Sequence, residues 1–151
     1  MIRTILLDAG PLGLLCAPSG KKGQASDCKL WLAERIQKGS RIIVPEITDY
    51  EVRRELIRAG LSASVLRLDA LSEGLEYLPL TTVAMKMAAK LWATARQAGN
   101  PTAGDKTIDA DVILAGQALT LNDPDVRIAT TNVGHLSRFV LAEEWQDISD
   151  K

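Results

Sequence analysis

Acidic side chains standing where the chain changes element are the residues of this sequence that can do chemistry. Asp105, Asp109 and Asp111 open the stretch 105–118, which then turns into a run of small and aliphatic residues. Read as a helix, it puts Leu114, Ala115 and Ala118 on one inward face and Asp111 in its first turn. A carboxylate there has two jobs open to it. It can complement the positive end of the helix dipole, or it can hold a hard divalent cation, which takes oxygen ligands. Asp109 has a similar choice, N-cap or cation ligand; Asp105 reads as a loop acid. Other oxygen donors stand at comparable junctions: Asp8 after an aliphatic run, Glu51 after a second, and Asn132 after Thr130 and Thr131.

The elements that must position them alternate between strand and helix. Residues 2–7, 41–44, 76–80 and 127–131 are short aliphatic runs bounded by turn residues, and predict four strands. Pro11 fits the first turn of a helix over 12–15. Ser26 or Asp27 is placed to cap a helix carrying Leu30, Trp31 and Ile36 and ended by Gly39. A helix through Tyr50, Glu51, Val52, Leu56 and Ile57 runs to Gly60. Ser62 caps another through Val65, Leu68, Leu71 and Leu75. Thr81 or Thr82 starts a long one through Trp92. The loop 99–105 leads into the acidic helix, and the tail with Leu136, Phe139, Trp145 and Ile148 folds back on the domain. Such alternation predicts an α/β/α sandwich around a central parallel sheet of four to five strands. In these sheets ligands bind beyond the carboxyl ends of the strands. That rule gathers Asp8, Glu51, Asp111 and Asn132 at one edge.

The totals set bounds. A chain of 151 residues, 46% of them apolar, suits one domain spanning 1–151. Eighteen basic against nineteen acidic residues leave it without the basic footprint of a protein that coats nucleic acid. A bound cation would supply positive charge locally instead. No signal peptide or membrane span is legible, and Cys16 and Cys28 form no disulfide framework, so a soluble cytoplasmic protein is expected. One histidine and no CxxC pair argue against zinc.

Carboxylates do not converge without a cation, because mutual repulsion raises their pKa values. Mg²⁺ or Mn²⁺ offsets that repulsion, keeps several waters and takes phosphate oxygens from a substrate. The chemistry implied is phosphodiester hydrolysis.

Four blocks then resemble a known family: Leu6-Leu7-Asp8-Ala9-Gly10-Pro11-Leu12, Pro45-Glu46-Ile47-Thr48-Asp49-Tyr50-Glu51-Val52, Asp109-Ala110-Asp111-Val112-Ile113-Leu114-Ala115 and Ala129-Thr130-Thr131-Asn132-Val133-Gly134-His135-Leu136. In kind and order they are similar to the signature blocks of PIN-domain nucleases, most of all the VapC-type toxins of bacterial toxin–antitoxin pairs. The resemblance implies a Mg²⁺- or Mn²⁺-dependent endoribonuclease, an RNA substrate, an antitoxin partner and a homodimer. It assigns Asp8, Glu51 and Asp111 to the first three family acids and Asn132 to the fourth position, which is Asp in many members. Asn132 offers a carbonyl oxygen without charge, so a second metal is in doubt or its ligand role passes to Asp109. Thr130 matches a hydroxyl residue that supports the site.

Other residues read more plainly. Glu46, Asp49 and Glu55 compete with Glu51 only as solvated helix acids. Arg53, Arg54 and Arg58 solvate their helix or steer RNA, and Lys21 and Lys22 sit on a polar loop. His135 is read as a loop residue, since this mechanism needs no imidazole; the three tryptophans are read as core. A PIN fold that only binds RNA or a protein is the alternative, favoured by Asn132. A phosphatase using Asp8 would want a second acid where Gly10 stands.

Overall fold

A computed structural model describes residues 3–20, 22–99 and 109–149. Ile2, Lys21, Asp105 and most of the loop 99–105 lie outside the described residues. The elements run β1 (Thr4–Leu7), α1 (Ala9–Cys16), α2 (Gln24–Gln37), β2 (Arg41–Pro45), α3 (Glu46–Arg58), α4 (Ser62–Gly74), β3 (Glu76–Leu78), α5 (Thr82–Gln97), α6 (Ala110–Leu119), β4 (Arg127–Thr130), α7 (Val133–Leu136) and β5 (Ala142–Glu144), with a 3-10 turn at Trp145–Asp147.

The five strands form one parallel sheet in the order β3-β2-β1-β4-β5. β1 is its centre because Thr4–Leu7 is buried throughout, as a strand covered on both faces requires. Side chains alternate along it. Ile5 and Leu7 join Leu12, Trp31, Val44, Leu68 and Ala129 in one core, while Leu6 joins Ile43, Ala88, Leu114, Ile128 and Leu136 in the other. Helices α1, α2 and α4 cover the first face; α5, α6 and α7 cover the second. The chain winds from β1 outward through β2 to β3, then returns to the other side of β1 for β4. The switch point therefore falls between β1 and β4. Their pairing runs on past β1, where the Asp8 N–H donates to the Ala129 carbonyl at 2.9 Å.

Helix α6 is buried on every side from Val112 to Ala118, not on a stripe. It sinks between the sheet and α5 because Gly116 has no side chain: a Cβ there would stand 2.6 Å from the Ala84 carbonyl oxygen. Gly116→Ala is expected to cost about 1–3 kcal/mol by overpacking. Urea denaturation checks this; an unchanged midpoint would mean the two helices part easily.

Several expectations are corrected. α2 starts at Gln24 after Gly23, not at a Ser26 or Asp27 cap. Its buried stripe is Cys28, Trp31, Leu32 and Arg35, so Leu30 and Ile36 fall off the i, i+3, i+4 face and are exposed. Leu61, not Ser62, is the N-cap of α4. β3 stops at Leu78 and β4 at Thr130. The tail supplies β5, whose register sets Ile128 beside Ala142. Trp31 and Trp145 meet edge to face at 5.8 Å, and Trp31 Nε1 donates to the Ile148 carbonyl at 3.1 Å, while Trp92 is only half-buried. Both cysteines are buried free thiols.

Candidate active site

Asp8 is the N-cap residue of α1, one step beyond the central strand, and is buried. Its carboxylate is fixed across the switch point: the Thr130 hydroxyl donates to Asp8 Oδ2 at 2.7 Å. The same hydroxyl oxygen accepts the Asn132 N–H at 2.8 Å. Thr130 thus ties the start of α1 to the start of α7. Gly10 permits the approach, since a Cβ there would meet Thr131 Oγ1 at 2.5 Å.

Asp109 and Asp111 enter from α6. Asp109 is the N-cap, and its Oδ1 accepts the Asp111 N–H at 3.1 Å. Its other oxygen, Oδ2, is buried and has no hydrogen-bond partner among the described residues. A buried carboxylate oxygen left so is costly, and a bound cation would offset that cost. Asp111 has one carboxylate contact among the described residues, His135 Nδ1 at 3.4 Å from Oδ2. That distance is at the long end of hydrogen bonding. His135, set aside on sequence grounds, therefore stands beside the acids; its place in the first turn after Asn132 was the available signal.

Glu51 reaches the group from α3. Burial first, then the charges of Asp8 and Asp111, push its carboxyl up to about 7, with Arg54 opposing and Asp109 adding. Asp111 is also raised above its ordinary range, by burial and then by Asp8 and Asp109, against the pull of His135. These effects say that Asp8, Glu51, Asp109 and Asp111 share one low-dielectric neighbourhood with too little positive charge. The competing α3 acids are committed elsewhere. Glu46 Oε1 accepts the Leu80 N–H at 2.6 Å, Asp49 accepts from Arg53 Nε at 2.8 Å and the Tyr77 hydroxyl at 3.0 Å, and Glu55 pairs with Arg58.

α3 and α6 are bracketed by Gln117, which is fully buried. Its Oε1 accepts the Ile47 N–H at 3.3 Å and its Nε2 donates to the Leu78 carbonyl at 2.9 Å. Gln117 thereby sets the helix of Asp111 against the helix of Glu51.

Asn132 is exposed, caps α7 without a side-chain hydrogen bond, and brings no charge. Among the described residues, no three His, Cys, Asp or Glu side chains converge tightly enough to hold an ion by themselves. Mg²⁺ ordinarily uses one or two carboxylates and fills the rest with water and phosphate. The unpartnered Asp109 oxygen and the mutually repelling acids fit such an ion.

No family model matches the chain, and no curated protein matches it. Solved structures do. VapBC2 from Rickettsia felis, bound to a DNA fragment from its promoter, superposes with a TM-score of 0.70 at 16% identity, over 93% of this chain and 97% of that one. VapBC-1 from nontypeable Haemophilus influenzae gives 0.69 at 20% identity, over 95% and 99%. DNA-bound VapBC from Salmonella typhimurium gives 0.64 at 22% identity, over 96% and 99%. The five-stranded parallel sheet between helices is thus the PIN-like fold expected. No helix among the described residues is long and apolar enough to cross a membrane.

Proposed function

We propose that this chain is a Mg²⁺- or Mn²⁺-dependent endoribonuclease of the VapC type, the toxin of a type II toxin–antitoxin pair. On this proposal it acts in the cytoplasm, pairs with a second copy of itself and is held by an antitoxin protein. The observation that carries the reading is the buried, unpartnered oxygen of Asp109 among three further carboxylates, two of which, Glu51 and Asp111, have their pKa raised by burial and by the neighbouring acids. The shared fold with VapBC structures supports it.

Asp8 and Asp111 would hold the cation, with Glu51 and Asp109 completing the charge around it. When bound, the cation supplies the Lewis acidity that activates water and neutralises the phosphate. The chain's own residues do the positioning. Thr130 fixes one Asp8 oxygen, leaving the other to ligate. Asp109 caps α6 with one oxygen and keeps the second for the site. Asn132 adds a neutral carbonyl at the rim.

The test is cleavage of a mixed RNA pool by the purified chain. Fragments are expected with Mg²⁺ or Mn²⁺ and none with EDTA; cleavage indifferent to EDTA would contradict the reading. Thr130→Val keeps the shape of the side chain and removes its donor. Initial rates are expected to fall about 10–100-fold, as for other ligand-orienting partners, with the far-ultraviolet spectrum unchanged. An unchanged rate would show that Asp8 needs no such anchor.

A second reading is favoured by Asn132, which brings no charge to the fourth position: a PIN-like module that binds RNA or a protein without cutting. RNA bound and left intact in the presence of the cation would select it.

A further inference from the structure

The three arginines of α3 have different surroundings. Arg53 donates to Asp49 at 2.8 Å and to Asp69 at 2.7 Å, and Arg58 pairs with Glu55 at 2.8 Å. Arg54 makes no hydrogen bond or ion pair with any described residue. Its guanidinium lies 5.1 Å from the centroid of the Tyr50 ring, and Tyr50 is 53% exposed. The pair brackets Glu51, one residue before it and three after. Arg54 is near enough to Glu51 to draw its carboxyl back toward ordinary acidity.

Such a pair has a specific chemical use. A guanidinium offers a rigid fork of donors that matches phosphate. An aromatic ring exposed beside it can stack an unpaired base of any identity. The acids next door repel an RNA backbone, so a fixed cation at their edge is needed to bring one in. Stacking on Tyr50 also holds the long Arg54 side chain in place before RNA arrives, which lowers the ordering cost of binding. Neither Arg53 nor Arg58 is free to do this.

We propose that Tyr50 and Arg54 form a single-stranded RNA subsite at the rim of the carboxylate cluster, Arg54 gripping a backbone phosphate and Tyr50 stacking an unpaired base. The proposal rests on the nuclease reading for its choice of RNA, and it adds where the substrate lies: along the exposed face of α3, entering from the Glu51 side.

The experiment measures binding of a fluorescently labelled, unstructured RNA oligonucleotide to the Asp111→Asn protein with Mg²⁺ present, across a range of KCl. Tyr50→Ala and Arg54→Ala are each expected to weaken binding about tenfold. Arg54→Ala is expected to lower the salt slope by about one counterion as well. Tyr50→Phe is expected to bind like its parent. Melting temperature in EDTA and sedimentation behaviour should not change in any of them. RNA affinity equal to the parent's in both alanine variants would overturn the subsite. So would a loss of affinity that tracks a change in sedimentation, which would make this face a protein contact. RNA bound by neither the Asp111→Asn parent nor the unsubstituted protein overturns the subsite and the nuclease reading together. In the Asp111-intact protein, cleavage that ignores EDTA while RNA binding still needs Arg54 would remove only the metal reading.

Discussion

Asp111→Asn is expected to lower RNA cleavage by more than about a hundredfold, since losing even an orienting partner of a ligand costs up to that. The substitution conserves shape. It also leaves the α6 N-terminus capped, because the cap is Asp109 accepting the backbone N–H of residue 111. Without cation the fold should hold: a dipole contact of about 0.3–1 kcal/mol is lost, but so is a charge that Asp8 and Asp109 repel. The difference should appear when cation is added. A ligand at a hundred times its dissociation constant stabilises the native state by about 2.7 kcal/mol. For a chain of this length that is a rise in melting temperature of about 5–10 °C. The unsubstituted protein should show that rise with Mn²⁺ and the Asn variant almost none. Equal rises would place the cation elsewhere, and equal cleavage rates would take Asp111 out of the chemistry.

Glu51→Gln is expected to stabilise the cation-free protein at pH 8, against the usual direction of a substitution. The Glu51 carboxyl stands near 7 in the fold against an ordinary 4.5. Between those values the folded chain keeps a proton that the unfolded chain has released. Stability therefore falls as pH rises through this window, and the penalty is complete above it. A shift of that size corresponds to about 3 kcal/mol, which partial solvent screening reduces to about 1–2 kcal/mol. Gln carries no charge and escapes the penalty. Urea denaturation in EDTA should show the variant ahead at pH 8 and level with its parent below pH 4.5. Mn²⁺ should then reverse the order at pH 8, because the cation rewards the carboxylate and not the amide. A Glu51→Gln protein less stable than its parent at pH 8 without cation would mean that Glu51 has a structural partner, not a crowd of like charges.

Much of this was legible in the residues because it depends on local patterns. Residues 2–7 are a short aliphatic run stopped by Asp8-Ala9-Gly10-Pro11, and that length with those turn residues reads as a covered strand. Alternation with helices then makes the sheet parallel, and a parallel sheet sends its loop acids to one edge. The rest turned on tertiary packing. β5 is three residues of mixed character that become a strand only because β4 offers an edge. Leu30 and Ile36 look like core until the stripe through Cys28, Trp31 and Arg35 is seen to face the sheet. The uniform burial of α6 follows from Gly116, whose use depends on where α5 lies. At the site, the spare oxygen of Asp109 has no signature in spacing, and the place of His135 in the first turn after Asn132 signals its nearness but not its contact with Asp111. Arg53, Arg54 and Arg58 are alike in sequence, and only the positions of Asp49, Asp69 and Glu55 tell them apart.

Crystals soaked in Mn²⁺ and measured at the manganese absorption edge test the central claim most directly. The account predicts an anomalous peak at the carboxyl edge of the sheet, touching oxygens of Asp8 and Asp111 and lost in Asp111→Asn. Well-ordered crystals with no peak there, or with manganese bound only at other surface acids, would contradict it.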